Sequence, residues 1–274
     1  MKTKNTSKFI VYALNIMISI LILGPILYTL GVSFMTPEQI FEYPPRFIPR
    51  SLYIKNYKEA LEIAPIGRFI FNSFIMSVAI TAGQIITGML AAYAFSFMEF
   101  KGKKILFIVI LSTLMIPGQA VIIANYLTIS SLGLLDTFRA LILPYLTSAL
   151  GIFLFRQFFL SIPKELYEAA VIDGCGNFRF LISIVIPLSK PAIGSLGIYT
   201  FLHAWNMYMW PLLTTNRDGM RTVQIGISML ENVDSQAFGP VMAGIIMIIL
   251  PSIIAFILGQ KQLIEGLTAG SVKS

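Results

Sequence analysis

Residues 165–180 read Glu165-Leu-Tyr-Glu168-Ala169-Ala170-Val-Ile-Asp173-Gly174-Cys175-Gly176-Asn177-Phe178-Arg179-Phe180, and the chain continues through Ile184-Val185-Ile186-Pro187-Leu188. Pro163, just upstream, suits the first turn of a helix, where its missing N–H costs nothing. Glu165 and Glu168 are placed in the first turn of that helix, where carboxylates favour the positive end of its dipole. Gly174 is free to take the left-handed conformation that ends a helix. Phe178 to Ile186 reads as helical again, and Pro187 marks a bend. The stretch is therefore a short helix, a glycine turn and a second helix.

Working outward, this hairpin lies between long apolar runs. Spans are expected over 9–34, 67–97, 105–129, 140–159, 187–213 and 238–260, each long enough to cross about 30 Å of hydrocarbon at about 1.5 Å per residue. The second carries Asn72, Ser73 and Gln84, and the fifth carries His203, Trp205 and Asn206, so these two are the least uniform. Of the 274 residues, 56% are hydrophobic and 12% charged, about half the charge of a soluble domain. The fold class is thus all-α integral membrane with six transmembrane helices. Lys2, Lys4 and Lys8 precede the first run, but that run exceeds a signal-peptide core and is read as a retained span. Pro37, Pro44, Pro45 and Pro49 make the loop after the first span an irregular connector, with 51–62 a candidate interfacial helix.

Charge gives the orientation. One set of connecting segments, including Lys101, Lys103, Lys104, Lys164, Arg179 and Lys190, holds twelve of the twenty Lys and Arg. The opposite set, including Arg46, Arg50, Lys58 and Arg217, holds the other eight and most of the acidic residues. The basic-rich side is read as cytoplasmic, which places both termini there and 44–62 outside. The net charge of +7 therefore reports topology and not a nucleic-acid partner. A single cysteine, Cys175, and a single histidine, His203, exclude an internal disulfide and thiolate or His-rich metal sites. Cys175 reads as a small tolerated residue.

The hairpin carries a family resemblance. Glu168-Ala169-Ala170, then Gly174 after three residues, then Ile184-x-Ile186-Pro187 after nine more resembles the loop of ABC importer permeases, with isoleucine in place of leucine at 186. Two further passages resemble the carbohydrate branch, of maltose type and glycerol-3-phosphate type: Trp205-Asn206-Met-Tyr208-Met-Trp210-Pro211-Leu212, and the tail from Gln260 through Gly266, Thr268 and Gly270. The resemblance covers most of the chain from about Arg68 onward. It implies a type I ABC importer transmembrane domain with cytoplasmic coupling helices. Residues 1–66 would be the first span and external loop, 67–260 the permease core with its coupling loop at 160–190, and 261–274 a cytoplasmic tail.

By that resemblance the chain is a permease subunit forming half of a translocation path for a sugar or sugar derivative. Its partners are a second homologous permease, two ABC ATPase subunits, a solute-binding protein and membrane lipid, in the bacterial cytoplasmic membrane. Glu168, Ala169, Ala170, Asp173, Gly174 and Pro187 are the ATPase-coupling candidates. Gly266, Thr268 and Gly270 are candidate tail contacts. The chain has no Gly-x-x-x-x-Gly-Lys-Ser/Thr loop, so no cofactor is expected on it, and ATP and magnesium belong to the ATPase partners.

Asn125, Tyr126, Tyr145, Trp205, Asn206 and Tyr208 are candidates for the path. Asn206 reads equally as a path residue or as an interhelical hydrogen-bonding residue. Trp205 and Trp210 read as an interfacial belt in preference to sugar-stacking rings. Asn72, Gln84, Asn125 and His203 read first as packing residues. The substrate alternative is glycerol-3-phosphate or a related phosphorylated polyol. The absence of a clear intramembrane cation leans toward neutral sugars. The class alternative is an ion-coupled secondary transporter, which places ionisable groups within its spans. The apolar cores here lack them.

Overall fold

The computed structural model describes residues 2–231 and 238–268, with side chains placed at residue 8 and over 11–230 and 238–262. Among the described residues every regular element is helical. Three helical segments are long and apolar enough to cross a membrane singly: Val11–Val32, Ile66–Phe97 and Phe238–Gln262. Three bent helix pairs bring the total to as many as six among the described residues, if each pair is one span. The expected 67–97 segment is one unbroken 32-residue helix, Ile66–Phe97, despite its polar residues. The expected 105–129 span is instead two helices, Lys103–Met115 and Gly118–Ser131, meeting at 99°. Pro117 at that junction has no N–H to continue the ladder. The expected 140–159 span bends by 47° between Phe138–Tyr145 and Ala149–Phe159.

The chain divides into two units. The first comprises 1–67 and 226–250. Here Lys2–Val32 leads into the Pro-rich connector, which is irregular apart from one turn at Pro37–Ile40. The expected short helix forms, but over Lys55–Ile63. Asn56 on it is buried and donates to the carbonyls of Ser33 and Met35 at 3.0 and 2.9 Å. Tyr57 and Ser33 share a hydroxyl hydrogen bond of 2.8 Å. These bonds fold the connector back onto the end of the first helix, so its buried backbone is satisfied. A Cβ on Gly239 would lie 2.7 Å from Asn56 Oδ1, so the helix beginning at Phe238 passes against this junction only because position 239 has no side chain.

The second unit comprises 68–225 and 251–274. Its largest core gathers Met89, Ala92 and Tyr93 from Ile66–Phe97, Phe155 and Phe159 from Ala149–Phe159, and Phe180, Leu181 and Val185 from the hairpin. Leu196, on the Lys190–Trp205 helix, completes it. At the opposite end Asn72 donates to the carbonyls of Gly219 and Arg221, both at 2.9 Å, and Ser73 accepts from the Val223 N–H at 3.0 Å. The helix accommodates these polar side chains because the Asn72 amide N–H groups and the Ser73 hydroxyl bond to backbone of the 219–223 segment, while Asn72 Oδ1 is buried without a protein partner.

Candidate functional site

The hairpin is built from Lys164–Ile172 and a second helical run, Asn177–Leu188. Pro163 is the N-cap residue of the first helix, and Glu165 lies in its first turn. Glu168, by contrast, is one turn further on, so the dipole of the N-terminus does not account for it. Gly174 has φ +69°. The Cys175 N–H donates to the Ala170 carbonyl at 2.8 Å and the Gly174 N–H to the Val171 carbonyl at 3.0 Å. These two bonds are the Schellman stop, with Gly174 as the left-handed residue. Cys175 is half-buried and packs on the same core as Ala170, which is the hydrophobic contact that accompanies this motif.

The six coupling candidates separate by exposure. Glu168, Ala169, Asp173 and Gly174 are exposed, and Ala170 is buried beneath them. Leu166, Val171, Ile172 and Phe178 are large, apolar and exposed beside them, Ile172 at 86%. The hairpin therefore turns a mixed apolar and acidic face outward while its underside is anchored. Sequence spacing alone did not select Ile172 and Phe178. Pro187 sits inside the second run, directly after a π-helical turn over Leu181–Val185 in which the Ile186 N–H reaches the Leu181 carbonyl. The chain bends by 77° between Asn177–Leu188 and Lys190–Trp205, so the bend falls just after Pro187.

The path candidates do not form one constellation. Trp205 and Trp210 are 1% and 2% exposed, so neither ring lies in an interfacial belt or on an open stacking surface. Trp205 stacks on Phe201. Trp210 donates through Nε1 to the Ala140 carbonyl at 3.1 Å and meets Tyr145 edge to face at 5.9 Å. Tyr126 is half-buried against the Ile129, Ala140 and Trp210 cluster, and Asn125 is half-buried beside it. Gln84 Nε2 donates to the Tyr145 carbonyl at 3.0 Å, Thr87 Oγ1 to the Leu146 carbonyl at 2.9 Å, and Thr200 Oγ1 to Gln84 Oε1 at 3.2 Å. These side chains supply donors to backbone freed where the Phe138–Phe159 segment breaks, which broken spans require in hydrocarbon. Gln84 is thus held in packing.

Asn206 is exposed, donates to the Leu202 carbonyl at 2.8 Å and accepts from Gln224 Nε2 at 3.2 Å. Tyr208 is 38% exposed. Tyr199 and His203, not singled out for the path from sequence, are also exposed, with their rings stacked 6.2 Å apart. Positions 199, 203 and 206 follow the four-and-three spacing of one helix face, a signal legible in the sequence. They form an exposed polar stripe along one face of the Lys190–Trp205 helix and its C-cap.

A third feature lies at the end of the unit opposite the hairpin. Asp136 Oδ1 accepts from the N–H groups of Asn216 and Arg217 at 2.6 and 2.8 Å, and its own N–H donates to the Thr214 carbonyl at 2.9 Å. The backbone N–H of Arg217, helped by that of Asn216, holds the Asp136 carboxyl below its ordinary range. Of the tail candidates, Gly270 lies outside the described residues, and the structure describes Gly266 and Thr268 only as helical backbone.

An exposed helical hairpin joined to bent helices is the layout that the resemblance to type I ABC importer permeases implies. The fold matches a solved bacterial ABC transporter involved in import of the acidic polysaccharide alginate, with a TM-score of 0.86 over 95% of this chain and 98% of that one, at 23% identity. Residues 84–261 match the model of the binding-protein-dependent transport system inner membrane component, and the chain belongs to that family. Its relatives include the sn-glycerol-3-phosphate transport system permease protein UgpE of Brucella melitensis, 40% identical over 90% of this chain and 93% of that protein. The protein of the same description from Rhizobium meliloti is 39% identical over 90% and 91%, and that from Yersinia enterocolitica 37% over 90% and 91%. The chain is accordingly a multi-pass inner-membrane permease subunit of an ABC importer. The expected family, fold class and transport role hold.

Proposed function

We propose that this subunit forms half of the import path for sn-glycerol-3-phosphate or a closely related phosphorylated polyol. The single observation carrying the substrate is 40% identity, over nine-tenths of the chain, to a permease of an sn-glycerol-3-phosphate transport system. It outweighs the lean toward neutral sugars drawn from the lack of an intramembrane cation, because a second permease or the binding protein can supply the positive charge. The Tyr199, His203 and Asn206 stripe, with Gln224 beside it, is the face of this chain that lines the path. Its hydroxyl, imidazole and amide groups suit a polyol.

The remaining assembly follows from energy supply. The chain carries no nucleotide-binding loop, so it is not itself an ATPase. ATP and magnesium sit on two partner ATPases, and a second homologous permease supplies the other half of the path. The exposed face of Lys164–Ile172 docks on an ATPase, with Glu168 and the apolar Ile172 and Phe178 as contacts. The Lys and Arg asymmetry supports a cytoplasmic hairpin and cytoplasmic termini. The test is to measure thermal stabilisation of the cognate binding protein by sn-glycerol-3-phosphate, glycerol and maltose. Stabilisation by the phosphate ester alone is expected. Stabilisation by maltose alone would overturn the substrate.

A further inference from the structure

Where the hairpin meets the Ile66–Phe97 helix, an exposed asparagine lies over a group of aromatic rings. Asn177 stands three residues after Gly174, where the Schellman stop delivers the chain to the start of the second helical run. Its Oδ1 accepts two hydroxyl hydrogen bonds, from Tyr93 at 3.2 Å and from Tyr167 at 3.3 Å. Tyr167 belongs to Lys164–Ile172, and Tyr93 lies near the C-terminal end of Ile66–Phe97. One acceptor thus bridges the outward-facing helix and a transmembrane helix.

Rings fill the space around this bridge. Phe97 meets Phe180 edge to face at 5.4 Å and Tyr167 at 5.6 Å. Tyr167 meets Phe180 edge to face at 5.1 Å, and Tyr93 meets Phe97 at 5.2 Å. Phe180 has no exposed surface. Each ring of the four touches at least two others, so movement of Tyr167 toward the core displaces Phe97 or Phe180. Close-packed interiors are poorly compressible and pass a displacement on. The hydroxyl pair adds direction, because it fixes how the Tyr93 and Tyr167 rings are turned relative to the second run.

We propose that Tyr93, Phe97, Tyr167 and Phe180, locked by Asn177, form the joint that carries movement of the outward helix into the Ile66–Phe97 span. The proposal rests on the reading of Lys164–Ile172 as the ATPase contact, and it assigns Asn177 as a positioning residue. It differs from a merely structural role in one respect: loss of the acceptor changes how much transport each ATP drives, not how much protein there is.

The experiment reconstitutes the whole importer in proteoliposomes and measures ATP hydrolysed per solute imported. Asn177→Leu keeps the size of the side chain and removes the acceptor. It is expected to raise that ratio by roughly fivefold to thirtyfold, the range carried by one to two net hydrogen bonds. Asn177→Asp restores an acceptor for both hydroxyls and is expected to return the ratio to within about twofold of wild type. Tyr93→Phe/Tyr167→Phe keeps all four rings, removes the two donors and should reproduce the Leu variant. It gives the same reading if Asn177→Leu does not accumulate. Glu168→Lys is the control for the underlying contact. Uncoupling by Glu168→Lys with wild-type ratios in the Asn177→Leu and double-Phe variants would overturn the joint alone. Wild-type ratios in Glu168→Lys as well would overturn the contact and the joint together.

Discussion

Gly174→Val tests the coupling turn with the fewest side effects. A Cβ at position 174 would meet nothing within 4 Å, so no neighbour is displaced. The whole cost lies in the backbone, whose φ of +69° an L residue adopts at about 1–2 kcal/mol. Valine, branched at Cβ, sits at the upper end of that range. Such a cost lowers the population of the native turn relative to alternatives by roughly fivefold to thirtyfold. It leaves the core of Phe155, Phe159 and Phe180 intact, so the subunit should insert and accumulate normally. The turn fixes the Cys175-to-Ala170 and Gly174-to-Val171 bonds, and with them the aim of Lys164–Ile172. Receptor-stimulated ATPase and uptake should therefore fall strongly together, while solute binding to the separate receptor is unchanged. Gly174→Asn, which tolerates the left-handed region, should retain more activity than Gly174→Val. Wild-type stimulation and uptake in Gly174→Val would refute the reasoning. So would loss of the protein from the membrane, because open space at the site predicts none.

Other expectations are equally direct. Gly259→Ala should destabilise the complex by about 1–3 kcal/mol in detergent melts, because its Cβ would overlap the Ile198 side chain, and Ile198→Ala should relieve part of that loss. Gln84→Leu should cost about 1–3 kcal/mol in the same assay, since the Tyr145 carbonyl loses its amide donor and Thr200 its acceptor. Asp136 is held below its ordinary pKa, so its contribution is present above about pH 4 and is lost as pH falls through the lowered folded value. The protection of the Asn216 and Arg217 amides against exchange, relative to their intrinsic rates, should fall over that acidic window, and Asp136→Ala should show the low protection at neutral pH. On a Cys175→Ser background, an impermeant thiol reagent added outside should label Lys58→Cys and spare Asp173→Cys; the reverse pattern would contradict the charge-based orientation.

What the sequence revealed, and what it hid, follows from the range of each interaction. The hairpin was legible because its parts are local: Pro163, Gly174 and the spacing to Pro187 act within a few residues. The apolar runs were legible because the membrane imposes length and composition. The breaks at Pro117 and at 146–148 were hidden, because hydropathy averages across a bend that keeps its apolar character. Trp205 and Trp210 misled for a related reason. Composition places indole rings at interfaces, but here Phe201, Tyr145 and the Ala140 carbonyl come from elements packed around them. Gln84 was readable as a packing residue only in outline, since its partners lie 61 and 116 residues away. Tyr199 and His203 could have been found by carrying the helical spacing back from Asn206.

The most direct test of the central claim is a reconstitution by omission. Proteoliposomes receive this chain, its homologous permease partner, the ATPase subunits and the solute-loaded binding protein, with ATP inside and no ion gradient. Accumulation of sn-glycerol-3-phosphate is expected with the full set and should vanish when any one component, or ATP hydrolysis, is removed. Accumulation by this chain alone, driven by a proton or sodium gradient without the ATPase, would contradict the account.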